Sequence, residues 1–203
     1  MAEQRARKAR VDGERSRQAI VTAAAGLATV QGIDGLSIGG LADHVGMSKS
    51  GVYAHFGSKL ELQLAAIEAA NAVFAAEVVE PAMALTAPLE RLRALCENFL
   101  DHVGREVFPG GCFFASAVAE MGARTGTVAD VVAEAQLEWM AVLTDQITAA
   151  QADGSLAGDL DPDQLAFELE SALYLANSLF VLHRRADVLD RARRAVAGLL
   201  DRS

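Results

Sequence analysis

The stretch "LADHVGMSKSGVYAHFGSK", residues 41–59, decides how the chain is read. Ser37 caps a short helix whose inner face is Ile38, Leu41, Ala42 and Val45, and Gly46 ends it. Two residues on, Ser48 caps a second short helix that points Val52 and Phe56 inward. At 3.6 residues per turn, Ser50, Gly51 and Ala54 then face outward, flanked by Lys49, Tyr53 and His55. A narrow outward strip of small residues lets a helix sit deep in a DNA major groove. Hydroxyl, ammonium and imidazole groups at its edges reach phosphates on both walls. The N-terminal end of this helix, at Ser48, offers backbone N–H groups to one more phosphate. These are the physical requirements of a helix-turn-helix reader.

Working outward, the whole chain reads as all-α. Ile20, Ala23, Ala24, Leu27 and Ala28 form the stripe of a preceding helix that stops at Gly32, and Asp34-Gly35 is a turn. Downstream, Ser58 as N-cap and Glu61 at the third helical position form a capping box. It starts a long helix towards Glu80, which Pro81 is expected to end. Further breaks fall at Pro88, at 108–111, 122–126 and 152–162, and around 184–187, with helical segments between them. Asp159, Asp161, Asp163 and Glu170 mimic calcium-loop positions, but Gln164 stands where the turn glycine belongs. Asp161 as N-cap, Pro162 as first helical residue and Gln164 reaching back explain the same letters as a helix start. No metal and no cofactor is expected. The expected domains are 1–60, a helix-turn-helix head with a basic N-terminal arm, and 61–203, a helical ligand-binding and dimerisation body.

Two segments close the chain. In residues 165–182 the apolar side chains Leu165, Phe167, Leu169, Leu173, Leu175, Leu179, Phe180 and Leu182 point around most of the helix, a sign of burial on more than one side. Residues 188–200 are amphipathic, with Val188, Leu189, Ala192, Val196, Leu199 and Leu200 on one face. Such a pair can pack on its symmetry mate as four helices, which makes a homodimer through the last two helices the expected assembly. An ordinary monomer core is the alternative.

Charge is unevenly spread over the 203 residues: the net charge is −9, yet residues 1–60 carry eight Lys/Arg (Arg5, Arg7, Lys8, Arg10, Arg15, Arg17, Lys49, Lys59) against five acids. A basic head that meets polyanions and an acidic body that does not account for the asymmetry. No run of about 18 consecutive apolar residues occurs. No apolar stretch follows the basic start "MAEQRARKAR". No membrane association is therefore expected, and a cytoplasmic location is. Cys96 and Cys112 suit small apolar core positions rather than a disulfide framework or zinc site.

The segment "LADHVGMSKSGVYAHFGSKLEL" resembles the DNA-binding part of the TetR (tetracycline-repressor) family of bacterial regulators, whose pattern runs "IA…AGVS…LY.HF..K". The likeness extends from about Glu14 to Leu64, with Gly46, Ser48, Tyr53, His55, Phe56 and Lys59 in register. It implies a ligand-responsive, sequence-specific regulator, by default a repressor released from a palindromic operator in double-stranded DNA by a small-molecule effector. It further implies phosphate contacts from Tyr53, His55, Lys59 and Ser37, and base or groove contacts from Lys49, Ser50 and Gly51. One departure is Gly39-Gly40, where relatives carry charged or polar helix formers. Two glycines cost about 1 kcal/mol each in helix propensity, so a loose second helix is expected until DNA orders it.

If the body follows the family, an apolar pocket lies between its helices. Candidate lining residues are Phe99, His102, Phe113, Phe114, Trp139, Tyr174 and Asn177, aromatic or polar groups inside apolar patterns. Asn177 stands out because a buried amide needs partners that a ligand can provide. Gly46 and Gly51 have phosphate-loop spacing, but Val52-Tyr53 stands where Lys-Ser/Thr is required, so no nucleotide loop is expected. An enzyme is disfavoured for want of any catalytic motif, His102 and His183 being isolated. Two rival readings stay open on the residues alone: a helical protein-binding module with a basic head, and a small helical enzyme using His102 or Glu120.

Overall fold

The computed structural model describes the backbone of residues 2–201 and the side chains of residues 16–201. The basic-arm side chains of Arg5, Arg7, Lys8, Arg10 and Arg15 therefore lie outside the described residues. The helices are α1 (Ala2–Gln31), α2 (Ile38–Val45), α3 (Lys49–Phe56), α4 (Lys59–Phe74), a π-helical turn (Ala75–Val79), α5 (Glu80–Met83), α6 (Pro88–Gly104), α7 (Phe113–Met121), α8 (Thr127–Ala152), α9 (Pro162–His183) and α10 (Asp187–Leu200). No strand occurs among the described residues. Two compact units divide at Ala72/Val73. This lies beyond the expected boundary at 60/61. The later division reflects α4 itself, whose buried Leu62, Ala66 and Ala70 make most of this helix part of the first unit's core.

That first core is small and built from short side chains. The buried face of α1 is Ile20, Val21, Ala24, Ala25 and Ala28, a stripe rotated from the expected one: Ala23 and Leu27 are only half-buried. Ile33 and Leu36, in the turn after α1, are fully buried. Their backbone is held from α4, where the Gln63 side-chain amide donates to the Ile33 carbonyl at 2.9 Å and Lys59 Nζ to the Asp34 carbonyl at 2.5 Å. A buried carbonyl such as that of Ile33 needs such a partner, and here the first turns of α4 supply it.

Pro81 does not end the helical run as expected. The chain widens into the π turn one residue after Phe74, and the Glu80 N–H bonds the Ala75 carbonyl, five residues back. A wider turn makes room for the proline ring, which otherwise collides with the carbonyl four residues earlier. Asn98 on α6 donates to the Val78 carbonyl at 3.1 Å, fixing the widened turn.

In the second unit, α6, α8 and α9 bury Leu92, Leu95, Phe99, Leu143, Ile147, Leu169 and Leu173 completely or nearly so. Burial pushes the Cys96 thiol up to about 12 and the Cys112 thiol up to about 11, which keeps both as inert apolar groups. Asp161 caps α9 by accepting from the Asp163 and Gln164 N–H groups at 3.0 and 3.3 Å. Gln164 does not reach back: its amide donates forward to Glu168 at 3.1 Å, one turn along the same face. The runs Lys59–Met83 and Pro162–His183 are long and apolar enough to cross a membrane, with 44% and 39% of those windows buried in this fold.

The loop between α6 and α7 is tied down from α9. Asn177 Oδ1 accepts from the Cys112 N–H at 2.8 Å, and Gly111, at φ +80°, lies so close that a Cβ would stand 2.2 Å from that same oxygen. Gly111→Ala is therefore expected to combine a disfavoured backbone with a displaced buried amide. Urea unfolding should show a loss of about 2 kcal/mol or more.

Candidate nucleic-acid interface and effector site

The reading surface is set by what α3 buries. Val52 is fully buried and Phe56 is 6% exposed, which turns Tyr53, 59% exposed, to solvent together with Lys49, Ser50 and Ala54. Arg17 on α1 covers the Phe56 ring, its guanidinium carbon 5.8 Å from the centroid. Both serine caps form as expected: Ser37 Oγ accepts from the Gly40 N–H at 3.0 Å and Ser48 Oγ from the Gly51 N–H at 3.1 Å. The hydroxyls are thus engaged by their own helices, and an anion at these ends would meet first-turn N–H groups. Ser48 and Ser50 share a further hydrogen bond between hydroxyls at 3.2 Å. His55 is half-buried, its ring tilted against Phe56, and Lys59 is exposed while it holds the Asp34 carbonyl.

Sequence reasoning assigned Ile38 to the interior, yet it is only half-buried and lines a shallow groove with Lys49, Ser50, Tyr53 and Ala54. A β-branched residue in the first turn of α2 gave no signal for that position. The glycine pair also has a positional reason. A Cβ on Gly39 would stand 3.1 Å from Lys49 Cε and 3.3 Å from its Nζ, so glycine here makes room for the lysine to lie across α2. α2 is a helix of eight residues with both caps made.

In the second unit most of the candidate effector residues come together around one ring absent from the expected set, Phe74. It meets Phe99, His102, Phe114 and Trp139 edge-on, with centroids 5.2–6.3 Å apart. Phe99 in turn stacks on Trp139 at 6.4 Å and on Tyr174 at 6.1 Å, while Phe113 meets Phe114 edge-on at 5.3 Å. Phe108, also unforeseen, stands edge-on to His102. Asn177 departs from its expected role, because the loop backbone at Cys112 already occupies its carbonyl oxygen. One edge of the cluster is polar: Glu170 accepts from Gln136 at 3.3 Å and from the Tyr174 phenol, and burial raises the Glu170 carboxyl above its ordinary range. Two buried polar atoms inside the cluster, His102 Nδ1 and Trp139 Nε1, have no hydrogen-bond partner.

A capped, outward-turned α3 on one unit, together with a second, all-helical unit with a buried aromatic cluster, is the arrangement of a helix-turn-helix regulator of transcription. Residues 20–66 match the model of the bacterial regulatory proteins of the tetR family, and residues 88–196, more than half of the chain, match the tetracyclin repressor-like C-terminal domain. The chain belongs to the TetR family of transcriptional regulators. It is similar to the transcriptional regulator AcuR of Cereibacter sphaeroides, 27% identical over 156 residues that cover 76% of this chain and 71% of AcuR. A TetR regulator from Chloroflexus aurantiacus shares its fold with a TM-score of 0.82 at 24% identity, covering 95% of this chain and 97% of its own. The fold is also that of AibR, solved in complex with isovaleryl coenzyme A and operator DNA, with a TM-score of 0.69, 22% identity, and 91% and 97% coverage.

His102 gives the body a pH dependence of known sign. Burial lowers its pKa below the ordinary 6.5, the nearby Glu77 opposing and Arg105 reinforcing the shift. The folded chain thus holds a neutral imidazole that the unfolded chain protonates, so this contribution to stability is present above about pH 6.5 and lost as pH falls. Thermal melts at pH 7.5 and 5.5 are expected to differ less for His102→Phe than for the parent. An unchanged difference would show that the imidazole carries none of it.

Proposed function

We propose that the chain is a homodimeric, ligand-responsive repressor that reads a palindromic operator through α3 and leaves it when a small molecule occupies the body. The observation that carries the reading is the orientation of α3, with Val52 and Phe56 buried and Tyr53 exposed beside Lys49 and Ser50. Tyr53, His55 and Lys59, with the end of α2 at Ser37 and that of α3 at Ser48, grip phosphates. Lys49, Ser50 and Gly51 face the base edges, and Ile38 adds an apolar contact at the groove wall. Lys59 has two duties, since the ammonium that grips phosphate also holds the Asp34 carbonyl. In this reading the DNA-binding groups lie within residues 1–60 and the ligand-binding, dimerising ones within 61–203, while Leu62, Ala66 and Ala70 of α4 complete the core of the head. A DNA target supports a cytoplasmic location for the chain.

Dimerisation through α9 and α10 is supported by an apolar face that the single chain leaves open. Leu175 and Leu182 are 60% and 72% exposed, and Ala172, Leu175, Leu179, Val188 and Ala195 line a groove between the two helices. Two copies place their reading helices in successive major grooves about 34 Å apart, or a multiple of that. An effector that shifts the helix from α4 into the π turn changes this separation. A coupling of about 1–3 kcal/mol would weaken operator binding about 5- to 150-fold. That AibR was solved with both isovaleryl coenzyme A and operator DNA supports an effector and an operator for this chain as well.

Two tests follow. Tyr53→Phe is expected to weaken binding about fivefold on every DNA sequence, whereas Ser50→Ala alters preference among sequences, both read by fluorescence anisotropy. Equal losses on all sequences for both variants would contradict these roles. Replacing Leu175 and Leu179 together by arginine is expected to give a monomer in sedimentation velocity, with operator affinity reduced at least tenfold; a dimer that survives would move the interface elsewhere.

A further inference from the structure

We infer that the body's effector is a small, uncharged, largely apolar molecule carrying a hydroxyl or amide group, held against Phe74 by His102 Nδ1 and Trp139 Nε1. The inference rests on the reading above, that the body senses a ligand, and names the chemistry of that ligand. His102 and Trp139 are 1% and 6% exposed, and each loses a hydrogen bond by being buried there. An unmade bond in an apolar surrounding is costly, so a site that holds two is completed by a molecule that supplies the missing partners. Both rings stand edge-on to the same Phe74 ring, at 6.2 and 5.2 Å, so each orphan group belongs to a side chain packed on that one aromatic residue. The indole N–H only donates, so the ligand must carry an acceptor. The imidazole, kept neutral by burial, takes the other half of a hydroxyl or amide.

The charges near the cluster favour a neutral ligand over an ion. A buried anion needs a cation, and the guanidinium whose charge bears on His102, that of Arg105, is already paired with Glu77 at a half-exposed position. A buried cation needs a carboxylate. The one at the polar edge, Glu170, is already bound by Gln136 and Tyr174, and burial raises its carboxyl above the ordinary range. Phe99, Phe114 and Tyr174 supply the apolar walls.

Trp139 is the only tryptophan in the chain, so its emission reports directly on this site. Titration of the full-length dimer with p-cresol, toluene, 4-methylbenzoate and benzylammonium is expected to give a saturable change with p-cresol. Affinity for the two ions should be at least about tenfold weaker. In His102→Phe, p-cresol affinity is expected to fall about tenfold while toluene affinity stays the same, which a packing role for His102 would not produce. Tighter binding of either ion, equal losses for p-cresol and toluene, or no response to any of the four would overturn the inference. The same titrations with operator present separate it from the underlying reading. Saturable p-cresol binding that leaves operator affinity unchanged sinks the effector reading alone. An ion that both moves the Trp139 signal and releases operator sinks the assignment of ligand class alone.

Discussion

The rotation of α3 about its own axis is the constraint on which the account depends, and two side chains fix it. Burying Val52 and Phe56 contributes about 1.5–3 kcal/mol each. A turn of the helix by even one residue, 100°, would expose both and bury Tyr53 and Lys49 instead. The left-handed glycines at 46 and 57 end α2 and α3 where they must, and the two serine caps fix where each helix begins. With both ends and the phase determined, the identity of the solvent-facing residues is a consequence of packing. Function at this surface costs the head nothing in its core.

A second constraint governs the body. Phe74 lies at the last position of α4, one residue before the backbone widens to pass Pro81, and its ring is the common neighbour of four others. Any molecule that displaces this ring must act on the junction between an α-helical and a π-helical register. Such junctions have two nearby hydrogen-bonding arrangements, which is the kind of element a ligand can bias. In the proposed reading, sensing and the helical connection into α4 share this residue.

The head was legible in the sequence because its determinants are local: caps, glycines and a helical period over eight residues leave little freedom. The α1 stripe was misjudged by a small rotation, since an Ala- and Val-rich helix offers several apolar faces of equal merit and only its neighbours choose among them. The fate of Pro81 was hidden for a related reason. A proline normally ends a helix, and nothing in the local sequence tells that the backbone adopts a wider turn and that Asn98 supports it. In the body, His102, Trp139 and Phe99 could be picked out as unusual in their helices, but Phe74 could not, because a phenylalanine in an apolar helix carries no mark of being a hub. Asn177 was singled out correctly as a buried amide in need of a partner, and the partner proved to be a loop 65 residues away in the chain.

The most direct test of the central claim is selection of bound fragments from random duplex DNA by the purified full-length protein. The account predicts an enriched palindrome whose half-sites are separated by about one helical turn or a multiple of it, and whose enrichment disappears when Ser50 and Tyr53 are both replaced by alanine. Enrichment that survives that double replacement, or the absence of any enriched sequence, would contradict the assignment of α3 as the element that reads DNA.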